Sequence, residues 1–256
     1  MSTGNTHRAK KSAMVGLLFC IAIKTIAQSP GQNHILTKTL LEEGETRSLD
    51  KIEYFDGMGR LVQTALKAAS PAGKDIVTLQ EYDATGRESN AWLPVPIGGG
   101  TGVYDDPATL KSGANTFYSD GAAYSNPVYE PSPLNRVMEQ YGPGAAWRTA
   151  DRPVKTAYMN NTADGILSCT LYLTSFSSTL VGLGNYPAGR LFVTQTTDEE
   201  GHITYTFTDN QGQTVLIREM NGSVTNDTYY VYDDLGQLRY VLPPMCDNIN
   251  EATLDN

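Results

Sequence analysis

Five times the chain spells Asp-x-x-Gly, and no other feature narrows its fold as much. The copies are Asp56-Gly57-Met58-Gly59, Asp83-Ala84-Thr85-Gly86, Asp198-Glu199-Glu200-Gly201, Asp209-Asn210-Gln211-Gly212 and Asp233-Asp234-Leu235-Gly236. Aspartate at the first position of a type I turn accepts hydrogen bonds from the backbone that follows, and glycine at the last takes the left-handed conformation. Apolar alternation flanks the turns: Ile52, Tyr54, Leu61 and Val62 around the first, Ile203, Tyr205, Phe207, Val215 and Ile217 around the fourth, and Tyr230, Tyr232, Leu238, Tyr240 and Leu242 around the last. A tight turn between alternating segments predicts a hairpin. From Arg190 to Leu242 the turns crowd together, with Asn221-Gly222 adding one more, at the spacing of an antiparallel meander. The expected fold class is mainly β.

Elsewhere the signals are sparser. A further hairpin is expected over Val154–Leu173, turning at Asp164-Gly165. One short helix is expected from Asp106 as N-cap, with Pro107 at the first helical position, running towards Tyr118. Pro94 to Gly144 is rich in glycine and proline, and Leu93-Pro94-Val95-Pro96-Ile97-Gly98-Gly99-Gly100 reads as a loop or linker. The expected organisation is N-terminal strands over 28–96, an irregular insertion with the helix over 97–150, a β-meander over 151–244 and a tail over 245–256.

The first thirty residues stand apart. His7, Arg8, Lys10 and Lys11 precede an apolar run of eleven residues, Ala13–Ile23, and Thr25-Ile26-Ala27 offers small residues before Gln28. These are the parts of a cleaved secretory signal, and the run is too short to span a bilayer as a helix. Export to the medium or the cell surface, with no membrane span after cleavage, is the expectation. Loss of Met1–Ala27 removes four basic residues and no acidic one, moving the net charge from −9 to −13. So acidic a chain is not expected to bind nucleic acid through a basic face. Cys169 and Cys246 then remain, and one disulfide or two unpaired thiols fit equally well.

Three of the turns lie within longer motifs. Tyr54 to Leu61 reads Tyr-x-Asp-x-x-Gly-Arg-Leu, Tyr82 to Arg87 reads Tyr-Asp-x-x-Gly-Arg, and Tyr232 to Leu238 reads Tyr-Asp-Asp-Leu-Gly-Gln-Leu. Phe207 to Gln213 is a degenerate fourth, and Glu130 to Val137 an eroded fifth with Asn135 where glycine would stand. These segments resemble the YD repeat of Rhs proteins. Tyr141–Trp147 and Asn185–Leu191 resemble the domain of unknown function that precedes such repeats in Bacteroidetes-type Rhs proteins. The resemblance implies a large exported protein whose tandem hairpins wind into a hollow β-shell, with any effector activity in a C-terminal domain. The chain ends at Asn256, shortly after Pro244, so the long repeat array and the effector are expected outside it. Its partners would then be the downstream repeats of the parent polypeptide.

The repeat residues themselves are expected to be structural. Asp56, Asp83, Asp209 and Asp233 cap turns, and Gly59, Gly86, Gly212 and Gly236 supply backbone freedom. Tyr54, Tyr82 and Tyr232 pack across strands with their hydroxyls at the wet edge, while Arg60 and Arg87 pair with a neighbouring repeat's carboxylate or carbonyl. No catalytic, cofactor or metal residue is assigned: the chain has no Gly-x-Ser-x-Gly elbow, no phosphate-binding loop and no His-Glu-x-x-His. A non-catalytic scaffold is therefore the leading expectation. A surface module binding a glycan or protein through Trp92, Trp147 and tyrosines comes second. A glycoside hydrolase is third, since Asp105-Asp106, Glu199-Glu200 and Asp233-Asp234 are adjacent pairs rather than facing ones.

Overall fold

A computed structural model describes residues 31–42, 47–174, 180–244 and 246. The export segment expected over Met1–Ala27 and nearly all of the tail expected over 245–256 lie outside the described residues.

The chain forms one long antiparallel sheet. Its N-terminal half holds β1 (Asn33–Leu40), β2 (Ser48–Phe55), β3 (Leu61–Leu66), β4 (Asp75–Tyr82) and β5 (Glu88–Ile97). Helix α1 (Pro107–Tyr118), strands β6 (Tyr124–Tyr129) and β7 (Val137–Tyr141), helix α2 (Ala145–Thr149) and β8 (Val154–Asn160) follow. Next come a 3₁₀ turn at Gly165–Leu167 and the short strands β9 (Thr170–Thr174) and β10 (Leu180–Asn185). The C-terminal strands are β11 (Phe192–Thr197), β12 (Ile203–Thr208), β13 (Thr214–Asn221), β14 (Val224–Tyr232) and β15 (Leu238–Leu242). Thirteen strands pair in chain order, with β8 joined directly to β11, while β9 and β10 form a separate two-stranded sheet.

Strand alternation puts the apolar residues on one side of this sheet. The register aligns Ile52 with Ala65, Ala65 with Val77 and Val77 with Val95. In the other half it aligns Val193 with Phe207, then Leu216, Tyr229 and Leu242. These residues are buried, and each full burial of a large apolar side chain contributes about 1.5–3 kcal/mol. The pairings Trp92–Tyr124, Asn126–Tyr141, Glu139–Lys155 and Met159–Val193 carry the same side across the middle of the sheet. The opposite side carries threonine pairs: Thr64 faces Thr78, Thr156 faces Thr196, and Thr194 faces Thr206. β-Branched hydroxylated residues suit a pleated surface that meets water.

Two connections lie over the apolar side, one over each half. The segment from Gly98 through α1 covers β2 to β5. Three buried polar side chains on neighbouring strands hold it down. Tyr54 Oη donates to the Gly102 carbonyl at 2.6 Å, Gln63 exchanges two 3.0 Å hydrogen bonds with the Asp105 backbone, and Asp75 accepts from the Ala68 and Gly102 amides. Helix α1 begins where Asp106 Oδ2 accepts from the Thr109 amide, and it stops at Ser119 in the left-handed conformation, with φ 53°. Leu110 and Ala114, one turn apart, enter the core. Glu81 anchors the helix from the sheet by accepting from Lys111 Nζ, Trp92 Nε1 and Asn90 Nδ2.

Residues 161–174 and 180–191 cover β11 to β14 in the same manner. Arg218 and Asp227 form a buried bidentate pair with contacts of 2.8 and 2.5 Å, and Arg218 Nη1 donates to the carbonyls of Ile166 and Ser168. Cys169, Leu180 and Leu191 close the core beneath. Between the two covers, Arg148 of α2 spans the backbone carbonyls of Tyr124, Gly142 and Gly144 and lies over the Tyr124 ring at 4.2 Å.

Several expectations give way here. The stretch expected to be an irregular insertion, 97–150, carries β6 and β7 and continues the sheet, and Leu93–Ile97 belongs to β5 rather than to a linker. Its prolines are tolerated because β5 and β6 share only the pairs Ala91–Ser125 and Trp92–Tyr124. A second helix, α2, stands beside the single one expected. The hairpin expected over Val154–Leu173 does not form: β8 pairs with β7 and β11, and β9 pairs with β10. Tyr54 is fully buried rather than at a wet edge.

Because Arg218 is buried with its guanidinium committed on every side, removing its counter-ion should be severe. Asp227→Ala is expected to cost about 3–5 kcal/mol in urea denaturation. A loss under about 1 kcal/mol would mean that the pair is dispensable to the fold.

Candidate functional site

The Asp-x-x-Gly turns share one geometry. In all five, the aspartate amide donates to the carbonyl four residues on, and the glycine amide donates back to the aspartate carbonyl, at 2.8–3.2 Å. Each Oδ1 then accepts two amides: Met58 and Arg60 at Asp56, Thr85 and Arg87 at Asp83, Glu200 and His202 at Asp198, Gln211 and Gln213 at Asp209, Leu235 and Gln237 at Asp233. The glycines have φ between 76° and 92°. A side chain would be strained there, and glycine is not.

In an antiparallel meander alternate connections fall on the same edge. The turns at Asp56, Asp83, Asp209 and Asp233 therefore share one edge, and the Asp198 turn lies on the other. The connection between β6 and β7 belongs to the first group. There Glu130 takes the place of aspartate, accepting Arg136 Nε and Nη2 at 3.0 and 2.7 Å, and Asn135 takes the glycine conformation with φ 54°. Asparagine tolerates that region best among residues with side chains.

One turn on this edge is interrupted. The Asn161 amide donates to the Leu191 carbonyl, the Gly189 amide donates to the Asn161 carbonyl, and Asn161 Oδ1 accepts from the amides of Arg190 and Leu191. The buried Asn161 thus does what the turn aspartates do, with residues 162–188 inserted between cap and glycine. Asn161 is not among the turn residues expected from the sequence. The signal was Gly189-Arg190-Leu191, which repeats Gly59-Arg60-Leu61.

Successive turns on this edge are locked together. Arg60 Nε donates to its own Asp56 Oδ2 at 2.8 Å, and its guanidinium lies 4.3 Å over the ring of Tyr82, the residue before the next turn. Arg87 does the same with Asp83, at 2.7 Å, and with Tyr129, at 4.5 Å. Arg136 lies over Tyr158 at 4.6 Å. The expected pairing of Arg60 and Arg87 with a neighbour's carboxylate or carbonyl is corrected in part: each pairs with its own aspartate and stacks on the neighbour's tyrosine, while Arg87 Nη1 also donates to the side-chain carbonyl of Asn135 in the next turn at 3.5 Å. Planar delocalised guanidinium makes both contacts at once.

The tyrosines reply through their hydroxyls. Tyr82 Oη donates to the Leu61 carbonyl at 2.8 Å, Tyr129 Oη to Glu88 at 3.0 Å, and Tyr232 Oη to Thr214 at 3.1 Å. All three acceptors hold one register position, opposite the residue that precedes the earlier turn's aspartate: Leu61 faces Phe55, Glu88 faces Tyr82, and Thr214 faces Thr208. Gln213 stands where arginine stands in the first two turns and reaches the Gly236 carbonyl at 3.1 Å. Burial raises the Tyr82, Tyr129 and Tyr232 hydroxyls above their ordinary range.

The remaining singled-out residues differ in exposure. Trp92 is packed on Tyr124 at 4.7 Å between ring centres, and Trp147 is 42 % exposed on α2. Both cysteines are free, and burial pushes the Cys169 thiol up to about 12, where thiolate chemistry is suppressed. Among the described residues no group of three or more His, Cys, Asp or Glu side chains is placed to hold a metal ion. No helix among them is long and apolar enough to cross a membrane.

The lock is separable from simple packing. Tyr82→Phe removes one oxygen and is expected to cost about 1 kcal/mol, and a double-mutant cycle between Arg60→Ala and Tyr82→Ala should give a coupling of about 0.5–2 kcal/mol. Additive effects would show that the two side chains act independently. The turn carboxylates also set a pH dependence. Hydrogen bonds from Thr85 and Arg87 depress Asp83, backbone amides depress Asp56 and Asp233, and Arg136 and Ser132 bring Glu130 down to about 2. Their folded values lie below the unfolded ones, so their contribution is complete above about pH 4.5 and is lost as pH falls. His202 has the opposite sign: Asp198 raises it, and its contribution is complete below about pH 6.5 and lost as pH rises. Urea midpoints measured from pH 7 to pH 2 should fall below about pH 4.5, and less steeply in Asp83→Asn.

Comparison with known families places this geometry. A family model described as Domain of unknown function (DUF6443) matches residues 28–160, more than half of the chain. No curated protein matches. The match ends with β8, in the middle of the sheet, one residue before Asn161. The chain belongs to the DUF6443 family, and the sheet that this domain begins runs on without a break into β11.

Proposed function

We propose that this chain is a non-catalytic scaffold: the exported N-terminal part of a Bacteroidetes-type Rhs/YD-repeat protein, forming the first wall of a β-shell. The observation that carries this reading is the turn lock. Arginine, tyrosine and aspartate recur at fixed register positions, and they contact one another across successive turns. A repeat whose most distinctive side chains are spent on its neighbours is built to be extended, since stability in such arrays comes from the interfaces between units. The one-sided sheet supports the same reading. Its threonine side suits a solvated wall, and its apolar side is covered by chain segments at each half.

On this reading the leader is cleaved near Gln28, the protein reaches the cell surface or the medium, and its partner is the following repeat array. The two tryptophans give a glycan-binding alternative little support, because Trp92 is already stacked and hydrogen-bonded.

The test is the intact mass of the native product, taken separately from envelope and culture-medium fractions. A species starting near Gln28 and running far beyond Asn256 is the expected result. A species ending at Asn256 would overturn the scaffold reading and turn attention to surface binding.

A further inference from the structure

The turn lock has a direction, and the outermost strand β15 carries one half of it. At each of three junctions a tyrosine immediately before a turn cap donates to a carbonyl on the preceding hairpin's second strand. Those carbonyls, on Leu61, Glu88 and Thr214, all lie opposite the residue before the earlier cap. The fourth residue in that register is Leu238, which faces Tyr232. It lies on β15, whose only neighbour in the sheet among the described residues is β14. Beside it, Arg239 Nε donates to Asp233 Oδ2 at 2.7 Å, holding the oxygen that Arg60 and Arg87 hold in their own turns. Leu238 and Val241 are 50 % and 49 % exposed.

The other end of the sheet lacks the matching half. Before the first cap, Asp56, the chain has Phe55 where three later turns have Tyr82, Tyr129 and Tyr232 and the Asp209 turn has Thr208. Phenylalanine has no hydroxyl to reach back to an earlier hairpin. Strand β1 and residues 41–47 contain no tyrosine, so a second copy joined through β1 would bring none to Leu238. The ladder starts at β2 and grows in one direction only.

We infer that the edge of β15 turned away from β14 is a directional docking edge. Its occupant is an antiparallel strand ending in a tyrosine directly before an Asp- or Glu-capped turn. The tyrosine hydroxyl donates to the Leu238 carbonyl, and its ring lies against the Arg239 guanidinium. Main-chain pairing supplies the affinity and the tyrosine sets the register, so strands lacking it are discriminated against. This inference deepens the scaffold reading and rests on it, by naming what the next strand must carry.

The probe is a synthetic peptide reproducing residues 224–244, which carries Tyr232-Asp233 at the end of its first strand, added to the full chain at up to millimolar concentration. Hydrogen exchange read residue by residue should show protection of β15 amides and none of β1. The Tyr232→Phe peptide should bind about five-fold more weakly. Protection of β1 equal to that of β15, equal binding by the two peptides, or no protection at all would each overturn the inference. Failure here is distinct from failure of the scaffold reading: the product mass decides the latter, whatever the peptide does.

Discussion

A single carboxylate oxygen accepting two backbone amides recurs through this protein, and most of the architecture is arranged around that contact. Asp56, Asp83, Asp198, Asp209 and Asp233 each use Oδ1 in this way, which closes a hairpin and leaves Oδ2 facing outwards. At Asp56 and Asp83 the outward oxygen fixes an arginine, and the arginine fixes the tyrosine of the next hairpin. A local cap is thereby converted into a long-range register device. An isolated hairpin is marginal in water, so the coupling between neighbours carries weight that no single turn could.

The same cap tolerates considerable editing. Glu130 spans a longer turn because its extra methylene reaches the same kind of donors, and Asn135 accepts the backbone conformation that glycine has elsewhere. Asn161 keeps the cap while the turn itself is opened to admit residues 162–188. What persists through these changes is a side-chain acceptor bonded to the amide that follows a left-handed residue. The inserted segment then becomes useful structure, because it folds back to cover the core of β11–β14.

Covering segments solve the problem that a one-sided sheet creates. Tyr54, Gln63 and Asp75 in one half, and Arg218 and Asp227 in the other, place polar groups inside an otherwise apolar layer. All but Asp227 satisfy backbone groups of the segment above, and Asp227 holds the Arg218 that does so. Buried polar groups are costly unless paired, so these contacts define where each cover must sit. The boundary of the DUF6443 match falls between the two covered halves, and the strand pairing of β8 with β11 crosses it.

The sequence by itself determined the local chemistry. Asp-x-x-Gly between alternating segments specifies a hairpin whatever surrounds it, and Asp106-Pro107 specifies the start of α1, because both depend only on residues a few positions apart. Sequence alone did not reveal which hairpins become neighbours, and there its local signals misled. Proline and glycine between Pro94 and Gly144 read as irregular, yet β6 and β7 form because the sheet on either side offers them partners. Val154–Leu173 read as a hairpin, yet β8 finds β11 across a long insertion. The roles of Arg60, Arg87, Tyr82 and Tyr129 likewise emerged only from the tertiary structure, since cross-strand register, not sequence distance, decides which ring lies beneath which guanidinium.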